Sequence, residues 1–230
     1  MSEERWLARP GPSRMLELVR PQLTERQLRL FGIACCRHVW TLIQDPRSRQ
    51  CIITAEAFVD GRIDRSGLEL FWRTSPYTQM IPQMPDAGVW AVALPDGGSF
   101  ATALRVATST AQLRASAATQ FAPPTAKFET FRLTEAAEQR YQCELLAELF
   151  GNPFRPLSAD RSWRTQTVCQ LADTIYRQQQ FEWMPQLGDA LMDAGCPILE
   201  MIDHCMNRHL THVRGCWVLD TLREVQARAA

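Results

Sequence analysis

The sequence predicts an all-α protein built from about nine or ten packed helices. Apolar residues recur at helical intervals through most of the chain, and few segments alternate in the period-two pattern of a β-strand. The chain also has no Gly-rich phosphate loop of the kind that joins strand to helix in α/β proteins. We therefore expect orthogonal or solenoid-like helix packing, with a long Pro/Gly-rich loop in the middle.

The first part of the chain carries the clearest helix signal. Thr24 and Gln27 have the spacing of a capping box, and an apolar stripe follows them. The stripe indicates a largely buried helix that ends before Pro46. Helices are expected at Leu16–Val19, from Thr24 to near Asp45–Pro46, at Arg47–Val59 and, capped by Ser66, at Leu68–Trp72.

The middle of the chain, Thr74–Gly98, is rich in proline and glycine. Only Val89–Leu94 resembles a strand or a buried helical turn. A loop this long is uncommon in a compact domain unless it covers something or moves. We therefore predict an N-terminal helical part at 1–72, a connector or lid at 73–98 and a C-terminal helical part at 99–230, with one continuous domain over 1–230 as the alternative.

Helical patterning returns in the second half of the chain. Gly151 and Pro153 form a stop signal, because glycine readily adopts the left-handed conformation that ends a helix. Helices are expected at Ser99–Thr119, Leu133–Phe150, Thr165–Arg177, Pro185–Ala194, Pro197–Cys205 and Val213–Ala227.

Composition limits the functional classes. The formal net charge is zero, which disfavours a nucleic-acid binder because such proteins need a basic face. No stretch has the ~20 apolar residues of a membrane span, and the N-terminus lacks a secretory apolar region. We expect a cytoplasmic protein whose eight cysteines are thiols.

Several longer motifs are spread along the chain. They are Trp6–Leu7 with Met15–Leu16, Leu28–Trp40 (LRLFGIACCRHVW), Leu145–Pro156 (LLAELFGNPFRP), Asp189–Cys196 (DALMDAGC), His204–Cys205 and His212–Leu222 (HVRGCWVLDTL). Together they resemble an uncharacterised family of bacterial proteins that is abundant in planctomycetes. The resemblance omits Arg73–Gly98. It implies a shared fold and hints at protein–protein interaction, and it implies no particular reaction.

The segment Asp203–Trp217 holds three of the four histidines and two of the eight cysteines. Cys205 and His209 are four residues apart, as are His212 and Cys216, so two helical faces could present a Cys2His2 zinc site.

A metal site shared by the family that the chain resembles would instead use His204, Cys205, His212 and Cys216. Neighbouring helical residues point about 100° apart, however, which makes joint ligation by His204 and Cys205 awkward. The preferred interpretation is that the cysteines pack in the core and that His212 caps a helix.

An enzyme, a hydrolase or transferase, is another alternative. Cys216 near the start of the last helix would be the nucleophile, His212 or His204 the base, and Glu200 or Asp203 the residue that orients the histidine. No local signature of a known Cys–His enzyme occurs in the sequence.

The leading functional prediction is a protein–protein interaction or scaffold module that needs no cofactor, with zinc as an alternative cofactor. Candidate binding residues are Phe154 and Arg155, in the rigid Gly151–Pro156 turn, and Arg214. The expected partner is another protein, and neither a membrane nor a nucleic acid is expected.

Overall fold

The computed structural model of the protein describes residues 2–74, 89–157 and 160–223. These residues form eleven α-helices joined by loops and short 3-10 helices, and they contain no β-strand. The all-α class is confirmed. The helices are α1 (Glu3–Leu7), α2 (Pro12–Val19), α3 (Glu25–His38), α4 (Pro46–Val59), α5 (Arg65–Thr74), α6 (Phe100–Thr119), α7 (Lys127–Phe150), α8 (Gln166–Gln178), α9 (Met184–Asp193), α10 (Leu199–Met206) and α11 (Trp217–Leu222).

The chain divides into two units, Met1–Leu146 and Ala147–Ala230. The first unit contains α1 to α6 and most of α7. The last turn of α7 and all of α8 to α11 belong to the second unit. The connector or lid predicted at 73–98 includes 75–88, which lie outside the described residues, and its role stays a prediction.

Helix α3 begins as the capping box predicts. The Gln27 backbone N–H donates to the Thr24 hydroxyl at 3.2 Å, and the Thr24 backbone N–H donates to Gln27 Oε1 at 3.1 Å. The helix ends at His38, earlier than the expected end near Asp45–Pro46. The chain continues as a 3-10 turn in which Trp40 lies under two guanidinium groups, 4.1 Å from Arg37 and 5.3 Å from Arg49.

Other helix boundaries also differ from the prediction. The Gly67 backbone N–H donates to the Asp64 carboxylate at 2.8 Å, so Asp64, not Ser66, caps α5. Helix α7 begins at Lys127, before the expected Leu133. Helix α11 begins at Trp217, because Val213–Cys216 form a turn with Gly215 at φ 91°.

The buried side chain of Arg29 holds the segment around residues 92–95 in place. Arg29 of α3 has a fully buried side chain. Its guanidinium donates to the carbonyl oxygens of Val92, of Leu94 at 2.9 Å and of Pro95 at 3.2 Å, and it pairs with Glu25 at 3.0 Å. The Val92 carbonyl lies near the end of the buried 3-10 helix Val89–Ala93, and the Leu94 and Pro95 carbonyls follow it, so Arg29 supplies donors that this short helix cannot supply itself.

The second unit has its own apolar core. The residues buried in it, which come from α8 to α11 and the adjoining loops, include Trp163, Val168, Ile175, Met184, Leu187, Leu191, Met201, Cys205, Cys216 and Leu219. Gly188 lets α9 lie close to α10, because a Cβ atom at this position would be 2.8 Å from Met206 Sδ. None of the described helices combines the length and apolar character that crossing a bilayer requires.

We expect the substitution Arg29→Met to lower the free energy of unfolding by about 3 kcal/mol, because it leaves buried carbonyl oxygens without donors. Arg65→Met is the matched control. Arg65 also donates to Pro95 O, at 3.1 Å, and pairs with Glu25 at 2.7 Å, but its side chain is 52% exposed. The control substitution should lower the free energy of unfolding by less than about 1 kcal/mol. Urea denaturation measures both values, and equal losses would contradict the role given to Arg29.

Candidate metal centre

Four ligand-type side chains converge in the second unit: Glu148, His204, His212 and Cys216. Glu148 lies in the last turn of α7, and His204 lies in the last turn of α10. His212 lies in the connection between α10 and α11, and Cys216 is the residue before α11. The connection therefore brings two ligands back toward the end of α10, and α7 supplies the fourth.

The Glu148 carboxylate is the centre of the cluster. Its Oε1 atom is 3.1 Å from His212 Nδ1, and its Oε2 atom is 3.1 Å from His204 Nε2. The Cys216 sulfur is 3.3 Å from the same His204 Nε2 atom. One ligand atom from each of the four residues lies within 4.8 Å of the other three.

The cluster is almost completely buried from solvent. The side chains of Glu148, His204 and His212 are 5%, 11% and 6% exposed, and Cys216 is fully buried. Burial alone would raise the pKa of Glu148, but hydrogen bonds from His204 and His212 outweigh burial and lower the pKa. The carboxylate is therefore held as an anion by two imidazole groups.

The pKa of the Cys216 thiol shifts in the opposite direction, upward. Burial, followed by the nearby Glu148 carboxylate, raises its pKa well above the ordinary value. A thiol with a raised pKa is a poor nucleophile at neutral pH. Coordination to a cation removes that thiol proton, so the same position suits a metal ligand better than an attacking group.

The donor set fits zinc. Zinc binds four ligands tetrahedrally through thiolate, imidazole and carboxylate groups at about 2.0 to 2.3 Å, which places neighbouring ligand atoms about 3.3 to 3.8 Å apart. The shortest separations in the cluster, 3.1 and 3.3 Å, lie close to that range. The widest separation, no more than 4.8 Å, needs a closure of about 1 Å.

Trp217 completes the surroundings of His204. Its indole N–H donates to His204 Nδ1 at 3.3 Å, on the side of the ring away from Nε2. The indole packs on Gly151, where a Cβ atom would lie 3.0 Å from the ring. Gly151 also has φ 59°, so the predicted stop of α7 needs glycine both for its backbone and for the space that Trp217 fills.

The structure brings together three of the four residues predicted as metal ligands. The fourth, Cys205, is buried in the core outside the cluster, and burial raises the pKa of its thiol to about 12. The i,i+4 pairing of Cys205 with His209 does not form, because α10 ends at Met206 and His209 is exposed. His212 and Cys216 meet through the turn at Gly215 and not through a helical face.

Glu148 is a candidate ligand that the sequence did not predict. A signal was present, because Glu148 lies three residues after Leu145 and next to Leu149 on the apolar end of a predicted helix. A carboxylate on a buried face needs a hydrogen-bonding or ionic partner. The unpaired histidines of Asp203–Trp217 were candidates for that role.

The other candidate residues are not members of the cluster. Glu200, proposed to orient a catalytic histidine, is 61% exposed and is 3.7 Å from Arg155. Phe154 is half-buried in the turn after α7. The guanidinium of Arg214 lies 5.4 Å from the centre of the Tyr176 ring.

A second titratable cluster lies within the first unit. Glu138 of α7 is fully buried and is 3.2 Å from His38 Nδ1 and 3.3 Å from Arg114 Nε. Burial raises the pKa of Glu138 to about 7, although Arg114 opposes the rise. Burial, followed by Arg114, lowers the pKa of His38 to about 4. Near neutral pH the imidazole is therefore uncharged and the carboxyl is close to half protonated.

Fold and site together define an all-α protein with a buried candidate metal centre in its second unit. No family model matches the chain, and no curated protein and no solved structure matches it. The resemblance to the planctomycete-type family stays a prediction.

We expect Glu138→Gln to become more stable relative to the wild type as pH rises from about 4.5 to 7. The folded pKa of Glu138 is about 7 and its ordinary value is 4.5, so the folded state holds the extra proton in this window. Wild-type stability from this group is thus present below pH 4.5 and is lost as pH rises through 7. The variant lacks that loss, and the difference should grow by about 2 kcal/mol.

The matched control for this pH effect is His38→Gln. The folded pKa of His38 is about 4 and its ordinary value is 6.5, so the wild-type contribution is present above pH 6.5 and is lost as pH falls to 4. This variant should therefore gain stability relative to the wild type on acidification. Chemical denaturation between pH 4 and 8 measures both trends, and a pH-independent difference for either variant would contradict its assignment.

Proposed function

We propose that the second unit is a zinc-stabilised helical module in which Glu148, His204, His212 and Cys216 are the four ligands. The observation that carries the proposal is their convergence: four ligand atoms from separate segments lie within 4.8 Å of one another in a buried core. Buried carboxylates and histidines need partners, and a shared cation satisfies all of these groups at once.

The kind of donor favours zinc over the common oxygen-seeking cations. Calcium takes six to eight oxygen ligands and magnesium keeps several waters, whereas this cluster offers one carboxylate, two imidazoles and a thiol. Imidazole and thiolate together suit zinc. Four protein ligands leave no open position for a water or a substrate, which is the arrangement of a structural zinc site.

A metal at this position would stabilise the connection between α10 and α11. His204 and Cys216 lie at its two ends, His212 lies inside it, and Glu148 ties all three to the end of α7. The residues between Met206 and His212 are exposed and add little apolar burial. Metal binding here adds directly to the free energy of folding, because the unfolded chain has no preformed site.

The enzyme alternative receives less support from the same cluster. A Cys216 nucleophile needs a lowered pKa and access to a substrate, but burial raises its pKa and its side chain is fully buried. Glu200 lies outside the cluster, and Glu148 occupies the position of the residue that orients the histidines. The contacts therefore favour ligation over nucleophilic attack.

Protein binding is a second candidate function, and one surface feature favours it. Phe121, in the α6–α7 connection, and Phe128, in the first turn of α7, are 89% and 80% exposed. Large exposed apolar residues close in sequence are typical of interaction surfaces. The test is whether a partner that co-purifies with the wild type is lost from Phe121→Ser/Phe128→Ser while its circular dichroism spectrum is unchanged.

We expect untagged protein, purified without chelator, to contain about one zinc per chain and to lose stability when a chelator removes it. Zinc at 100 times its dissociation constant should raise the free energy of unfolding by about 2.7 kcal/mol. Cys216→Ala should lose most of the zinc. Metal analysis and thermal unfolding with and without a chelator measure these effects.

Cys205→Ala is the matched control for the zinc experiment. Cys205 and Cys216 are both buried in the core of the second unit, 1% and 0% exposed, but only Cys216 belongs to the cluster. The control should keep its zinc while losing a similar amount of packing. A wild-type zinc content below about half an atom per chain, with no response to chelator, would refute the zinc assignment.

A further inference from the structure

Trp217 makes a contact with His204 that bears on metal binding. The indole N–H can only donate a hydrogen bond, and it points at His204 Nδ1 from 3.3 Å. Nδ1 must therefore present its lone pair. In the neutral imidazole the single ring proton is then on Nε2, where it donates to Glu148 Oε2 at 3.1 Å.

Ligation by His204 needs the opposite tautomer. Nε2 is the nitrogen that faces Glu148 and Cys216, so it is the nitrogen that would bind a cation, and it must then offer its lone pair. The ring proton moves from Nε2 to Nδ1, with no proton gained or lost by the ring. Nδ1–H then faces the indole N–H of Trp217, and two donors oppose each other where one hydrogen bond stood.

We propose that Trp217 lowers the zinc affinity of the site by holding His204 in the tautomer that opposes ligation, and that its indole leaves His204 when zinc binds. This inference rests on the proposed zinc site and adds a means of regulating it. The site becomes one that exchanges its metal, because zinc must displace a hydrogen bond that the protein makes by itself.

The effect is specific to one of the two histidines. The His212 ligand atom is Nδ1, which faces Glu148 Oε1 at 3.1 Å. Trp217 donates to His204 Nδ1, whereas the proton of His212 would move to Nε2, the ring nitrogen away from the Glu148 carboxylate. The opposition to metal binding is therefore concentrated in the contact between Trp217 and His204.

The Trp217 indole also links zinc binding at the cluster to the Gly151–Pro156 turn. Trp217 directly follows Cys216, so its backbone is fixed next to one ligand while its ring contacts another. The same ring packs on Gly151, at the start of the Gly151–Pro156 turn. Rotation of the indole away from His204 removes that packing, so occupancy of the site alters the surroundings of this turn.

The test is the zinc affinity of Trp217→Phe, measured by competition with a coloured zinc chelator. Phenylalanine keeps an aromatic ring but has no N–H. Loss of one opposing hydrogen bond should make the variant bind zinc about three- to tenfold more tightly than the wild type. Trp163→Phe is the matched control, because Trp163 is buried in the same core at 3% exposure, and it should not tighten binding.

A second measurement uses the unmodified chain and needs no variant to fold. Nitrogen-15 spectra of the imidazoles should show His204 protonated at Nε2 without zinc and at Nδ1 with zinc, and the Trp217 indole resonance should shift between the two. Wild type that binds zinc while Trp217→Phe binds equally or more weakly overturns this inference and leaves the zinc site standing. Wild type that binds no zinc overturns the proposed function itself.

Discussion

The buried carboxylate of Glu148 is the constraint on which the second unit depends. An isolated carboxylate in a core costs several kcal/mol, so this glutamate persists only because other groups compensate its charge. Two histidines do so, each with a nitrogen 3.1 Å away. The requirement fixes where α10 ends and how the chain returns to α11. A core residue that looks unfavourable alone thus determines the local path of the chain.

Arg29 is a second buried charge, in the first unit, and it is compensated in a different way. Its guanidinium is also removed from water, but its partners are mostly carbonyl oxygens of the backbone. Close packing secures them: a Cβ atom at Gly97 would lie 2.4 Å from Arg29 Nη1. Glu148 is compensated by side chains that titrate and bind metals, whereas Arg29 is compensated by groups that do neither.

Much of the fold was accessible from the sequence. Helical periodicity and the Thr24 capping box gave the class and the start of α3, because both depend on residues close in the chain. Helix ends were less predictable. Whether Val213–Cys216 form a turn or the first turn of α11 is decided by Gly215 and by contacts across the core.

The site was only partly predictable, for a related reason. His204, His212 and Cys216 share one short segment and stand out by residue type. Glu148 lies 64 residues before His212, and nothing local links the two. Cys205 shows the converse error, since it has the right chemistry at the right spacing but faces the core outside the cluster. Residue type identifies candidate ligands in the sequence, but only the tertiary fold shows which of them lie close together.

The separation of Glu148 from its partners also has a consequence for folding order. Bringing together groups 64 residues apart carries a loop-closure cost that local helices do not pay, so the contact forms after those helices exist. α8 and α9 lie within that interval and fold from local sequence. The four side chains therefore assemble late, when the rest of the unit is in place. We therefore expect completion of the cluster to mark the end of folding of this unit.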